Sequence, residues 1–124
     1  MSKKLFTLQE RLRRHALKFP EAAEDHPWGH IAVKARKKSF VFLSGAELHE
    51  GKLSMTVKLP VSGEMALSLP YVERAGYGLG KSGWITVRLG AADKADPRML
   101  EEWIEQSYRA VAPKTLVKKL DAAA

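Results

Sequence analysis

The chain has 124 residues, 45% of them hydrophobic and 28% charged, the proportions of an ordinary folded domain and not of a disordered segment. It has no cysteine, which excludes a disulfide framework, a thiolate zinc site and a cysteine nucleophile, and no apolar run approaches the ~20 residues of a membrane span. Lys and Arg total 21 against 14 Asp and Glu, a net charge of +7 that favours acidic partners, nucleic acid among them.

The start, Met1 to Phe6, is basic but lacks the apolar stretch of a secretory signal, so a single cytoplasmic domain over residues 1–124 is expected. Thr7-Leu8-Gln9-Glu10 has the form of a capping box. Leu5, Leu8, Leu12, Ala16 and Phe19 recur at helical spacing, so a first helix is expected to start near Thr7 and to end at Phe19, before Pro20. Glu21 to Trp28 reads as an acidic connector, with a turn at Gly29.

The next segments have strand periodicity. His30–Arg36 alternates, with Ile31, Val33 and Ala35 on one face and His30, Ala32, Lys34 and Arg36 on the other. After a turn at Lys37-Lys38, Ser39 to Leu43 is apolar enough for a central strand. Beyond a loop from Gly45 to Gly51, Lys52–Leu59 alternates again, with Leu53, Met55, Val57 and Leu59 inward. The connections are too short for parallel crossovers, which leaves an antiparallel meander.

Ser62–Leu69 predicts a short helix and Pro70–Ala75 a further helical turn. Gly76 to Gly83 is glycine-rich and predicts a short strand and a tight turn. Trp84–Leu89 is a strand with Ile85, Val87 and Leu89 on one face and Trp84, Thr86 and Arg88 on the other. Asp96-Pro97 is an N-cap followed by Pro at the first helical position. Met99, Leu100, Trp103, Ile104, Ser107 and Val111 form that helix's apolar stripe; Pro113 breaks it, and Lys114–Leu120 predicts a short closing helix. The order is that of an α+β domain, α-β(3)-α-β(2)-α, with helices packed on one face of an antiparallel sheet.

Three segments carry a family resemblance. His26-Pro27-Trp28-Gly29-His30 with Val33-Lys34, Lys38 and Phe40 resembles the opening signature of the MmcQ/YjbR family. Tyr77 to Val87 resembles its second signature, and Ser107-Tyr108 with Val111 its C-terminal helix motif. The resemblance covers nearly the whole chain and implies a fold similar to secretion chaperones and to CyaY-like proteins. It also implies a strand near Tyr77 and DNA binding through a double-wing motif. Gly78 stands where many relatives carry a His, so no role resting on that imidazole is expected here.

For function, strand parity is the strongest observation. If the aliphatic faces turn inward, the other face collects His30, Lys34, Arg36, Lys52, Lys58, Trp84 and Arg88, cations and an indole on one surface. Such a surface sets ammonium and guanidinium groups against phosphates and offers a stacking platform; a solvated sheet face is the plainer alternative. Lys81, in the glycine-rich loop, is a further anion contact, though the loop matches no phosphate-binding signature. Trp28, Tyr77, Lys81 and Trp84 would bound a small-anion pocket, to which Tyr108 could offer a hydroxyl.

No catalytic residue is assigned: the carboxylates fall on a connector or an outer helix face, and no Ser-His-Asp order appears. His26 and His30 are separated by Pro27 and Gly29 in a non-helical segment, so neither a metal nor a cofactor is expected. The expectation is a non-enzymatic, monomeric protein that binds DNA or another acidic partner through a basic sheet face and does not engage membranes. The alternatives are a chaperone-like peptide-binding module and a small-anion pocket.

Overall fold

The computed structural model describes residues 3–26, 29–45, 47–48, 51–76 and 79–123. In chain order the elements are α1 (Lys3–Leu17), β1 (Ala22–Asp25), β2 (Ile31–Ala35), β3 (Lys38–Leu43), β4 (Leu53–Lys58) and α2 (Gly63–Leu67). Beyond α2 come β5 (Val72–Arg74), a 3-10 turn (Leu79–Ser82), β6 (Trp84–Leu89), α3 (Pro97–Val111) and α4 (Lys114–Ala123). The strands form one six-stranded antiparallel sheet in the order β1-β2-β3-β4-β6-β5. The fold class is therefore the expected one. None of the described helices is long and apolar enough to cross a membrane.

The core lies between the sheet and the two long helices. Leu5, Leu12 and Ala16 of α1 and Leu100, Trp103 and Ile104 of α3 are buried, at the spacing that puts one helical stripe against a sheet. They meet Val33, Val41, Met55, Val57, Ile85 and Val87 from the inner sheet face. In β4 the alternation is complete, with Leu53, Met55 and Val57 buried and Ser54, Thr56 and Lys58 half-exposed. Asp96 caps α3 by accepting the Arg98 N–H at 3.0 Å, with Pro97 at the first helical position.

Several local expectations are corrected. The capping box does not form: α1 already includes Lys3, and Thr7 lies inside it, its Oγ1 donating back to the Lys3 carbonyl at 3.0 Å. Glu10 turns instead to Arg13 and Arg14, at 2.7 and 3.0 Å. The acidic connector contains β1, which the pairing Ala22↔Ala35 to Asp25↔Ala32 makes the sheet edge. Its side chains carry charge on both faces, which hides strand periodicity. The segment read as a helical turn, 70–75, contains β5 instead, paired with β6 from Val72↔Val87 to Arg74↔Ile85. The strand implied near Tyr77 falls partly outside the described residues, because Tyr77 and Gly78 are not among them, and Leu79–Ser82 is a 3-10 turn. The closing helix is longer than expected, reaching Ala123.

A β-bulge shapes one end of the sheet. Between β2 and β3 the register steps from Val33↔Val41 to Lys34↔Ser39, so Phe40 is the extra residue. Consecutive Phe40 and Val41 are both fully buried, and Phe40 meets the edge of Tyr108, with ring centroids 5.0 Å apart. The β3–β4 ladder ends at Val41↔Val57, and a hydroxyl from α3 takes over beyond it. Ser107 Oγ donates to the Phe40 carbonyl at 2.5 Å and accepts the Lys58 N–H at 2.9 Å.

Candidate anion-binding cleft at the sheet end

Cross-strand partners share a face, so the register fixes the open side of the sheet. Lys34 and Ser39 are partners, as are Ala32 and Phe42, Thr56 and Thr86, Ser54 and Arg88, and Lys58 and Trp84. The inferred parity of Lys34, Lys58, Trp84 and Arg88 is the one observed. The electrostatic environment is different from the one parity suggests.

Most of these cations are already committed. Lys34 Nζ lies 2.9 Å from Asp25, supplied by the edge strand β1, and Arg88 is paired with Glu73 of β5. The ammonium of Lys34 holds the Asp25 carboxyl below the usual carboxylate range, assisted by the His26 N–H. Arg36 is not on the sheet face at all. It sits after β2 with φ 59° and reaches Glu21 through Nε and Nη2, both at 3.3 Å. Glu21, itself at φ 56°, also takes Lys119 at 3.5 Å, and its carboxyl is lowered first by Arg36 and then by Lys119.

Two of the aromatic candidates separate from the rest. His30 lies before β2, at the opposite end of the sheet from Trp84, with Nδ1 3.1 Å from the Ser44 carbonyl. Tyr108 belongs to the core: it is fully buried, stacks on Phe19 at 4.8 Å and donates its hydroxyl to the Pro20 carbonyl at 2.8 Å. Burial raises its pKa. Trp28 and Tyr77 lie outside the described residues. Lys52 is exposed and immediately precedes β4.

What gathers is one end of the sheet. A cleft of about 430 Å³ is lined by Lys38, Ser39, Phe42, Lys58, Leu79 and Trp84, and closed by Ala110 and Val111 at the end of α3. The Trp84 indole leans on Phe42, centroids 6.0 Å apart at 54°, and is only half-buried. Neither Lys38 nor Lys58 has an acidic partner among the described residues, and no described carboxylate lines the cleft. Lys81 is exposed on the 3-10 turn that leads into Trp84. The arrangement offers an aromatic wall, a hydroxyl and unpaired ammonium groups within one hollow.

Lys38, Ser39, Phe42, Leu79, Ala110 and Val111 are the lining residues that sequence reasoning missed. The continuous apolar run Ser39 to Leu43 conceals which ring points outward, because the bulge at Phe40 resets the alternation. Among the described residues no group of three or more His, Asp or Glu is placed to hold a metal ion.

The architecture has solved counterparts. A Deinococcus radiodurans protein with a DUF419 domain superposes with a TM-score of 0.65 at 21% identity, over 82% of this chain and 76% of its own. A structural-genomics target from Pseudomonas syringae superposes with a TM-score of 0.60 at 21% identity, over 89% of this chain and 98% of its own. At that identity they establish a shared fold and nothing about function. No curated protein matches the chain. The YjbR family model matches residues 17–110, from the end of α1 through the sheet to most of α3, and the chain belongs to the YjbR family.

Proposed function

We propose that the protein is a non-enzymatic binding module that takes an acidic partner, DNA foremost, at the Lys38–Lys58–Trp84 end of its sheet. One observation carries this reading: Lys58 and Trp84 are direct cross-strand partners on the open face, in a cleft free of described carboxylates. A cation beside an accessible indole is the minimum a nucleic acid needs, one group for the phosphate and one ring for a base. Because stacking on Trp84 requires an unpaired base, single-stranded DNA suits the cleft better than duplex. Stacking contributes about 1–3 kcal/mol per base, and the lysines contribute mainly salt-sensitive affinity.

The test is a titration of labelled single-stranded and duplex DNA at two salt concentrations. The expected result is measurable binding at low salt that is stronger for the single strand. Lys58→Ala is expected to reduce the log–log salt slope by about 0.7 for a single strand. Trp84→Ala is expected to weaken binding about tenfold or more with the slope unchanged. Absence of affinity for either form at low salt would overturn the proposal.

A further inference from the structure

At the far end of β6 the molecule carries a second hollow of different chemistry. It has a volume of about 400 Å³ and lies between the start of α1 and the loop that leads into α3. Its floor is apolar: Leu5 of α1 and Leu89 at the end of β6 are buried in the core beneath it, and Leu8 and Ala95 are half-buried at its surface. Lys4 and Lys94 also line it, both exposed and both without an acidic partner among the described residues.

The nearby charges are engaged elsewhere. Arg11 makes two 3.1 Å bonds to Glu101, and that ion pair leaves it little free charge. Asp93, the carboxylate of the lining, accepts the Gly90 N–H at 2.7 Å and keeps its negative charge, so Lys4 and Lys94 together leave the lining with one positive charge in excess. Asp96 is spent on the α3 cap. A cleft with an apolar floor and free ammonium groups on its lining disfavours two ligand classes. An inorganic anion would leave the accessible apolar area of Leu8 and Ala95 in contact with water, and a neutral hydrocarbon would gain nothing from the two lysines.

We propose that this cleft binds an apolar carboxylic acid, an acyl chain lying on Leu8 and Ala95 above the buried Leu5 and Leu89, with its carboxylate toward Lys4 and Lys94. The complementarity is of charge and polarity together: the ligand's two ends match the two parts of the lining. The site is independent of the DNA-binding reading, because Trp84 and Leu89 stand at opposite ends of the same strand, about 17 Å apart at the usual rise per residue.

The experiment is a titration of isotope-labelled protein with hexanoate, octanoate and decanoate, followed through backbone amide shifts. Saturable shifts confined to the start of α1 and to residues 89–97 are expected, with affinity rising roughly fourfold per added methylene until the cleft is filled. Decylamine, of the same length and opposite charge, is expected not to bind. The double variant Lys4→Glu/Lys94→Glu changes only exposed positions, and it is expected to lose affinity for decanoate at least tenfold while keeping the wild-type spectrum elsewhere. Absence of saturable binding by any of the acids overturns the proposal. So do equal binding of decylamine, shifts centred on Trp84, and an affinity indifferent to the double variant. Binding of a peptide with an apolar C-terminus where decanoate fails would also overturn it, since the occupant would then be a protein tail.

Discussion

Ser107 stands in for a strand residue against Lys58: its Oγ accepts the Lys58 N–H at 2.9 Å at the point where the β3–β4 ladder stops. The same hydroxyl donates to the Phe40 carbonyl, so one side chain of α3 closes the gap that the bulge opens and anchors the backbone beneath the cleft. Ser107 is fully buried, and without its hydroxyl two backbone groups would lose their partner. Ser107→Ala is expected to cost about 1–3 kcal/mol, measured by urea denaturation. It is also expected to loosen Lys58, seen as faster hydrogen exchange at that amide.

Gly45 separates two effects that glycine substitutions usually mix. Its φ is 91°, and a Cβ there would lie 2.1 Å from the Gly29 carbonyl oxygen and 3.0 Å from the His30 Cα. Gly51 has a similar φ of 74° but nothing within 4 Å. Gly51→Ala is therefore expected to cost only the backbone strain, about 1 kcal/mol. Gly45→Ala is expected to cost clearly more, about 3 kcal/mol, because backbone must also move. The Gln9 amide, which pairs with both backbone groups of Gly45, would be displaced with it. Comparing urea midpoints of the two variants checks the ranking.

The ion pair between α1 and α3 sets an acid limit. Arg11 holds the Glu101 carboxyl below its ordinary 4.5, with His15 and Lys18 adding to the effect. A carboxyl lowered in the folded state contributes stability above its unfolded pKa and loses it as pH falls through the folded value. Stability is therefore expected to decline below about pH 4.5, the ordinary range of a glutamate. Asp25 and Glu21 act in the same direction, since both are lowered by their basic partners. Glu101→Gln is expected to be less stable at neutral pH and to show a shallower decline between pH 5 and 3, followed by urea midpoints across that range.

Charge pairing on the open face makes a gain-of-affinity prediction. Asp25→Asn would release Lys34, and Glu73→Gln would release Arg88. If the sheet face receives DNA, the double variant is expected to bind several-fold more tightly at low salt and to show a steeper salt slope. Lys34→Ala alone is expected to change little, because that ammonium is already neutralised. The titration proposed for Lys58→Ala measures both.

The sheet and its inner face were legible locally. In β4 burial alternates without interruption, in β6 only the buried Thr86 departs from it, and Asp96-Pro97 marks the start of α3, so period and capping chemistry sufficed there. β1 and β5 escaped for a shared reason: they are short edge strands, and Glu24 and Glu73 interrupt any apolar pattern. The cleft was legible in half. Lys58 and Trp84 follow from parity within their own strands, whereas Phe42 needs the Phe40 bulge to be known first.

What the sequence determined alone was the class of fold, the excess of positive charge and the parity of the long strands, all of which depend on neighbours a few residues away. What the tertiary structure decided was which of those charges remain available. Asp25 neutralises Lys34 because β1 lies beside β2, and Glu73 meets Arg88 because β5 lies beside β6. Coulomb attraction acts through space and falls with distance, so strand adjacency, which no local pattern encodes, removes Lys34 and Arg88 from the available charge of the face and leaves Lys58 beside Trp84, with Lys52 at the opposite end of β4.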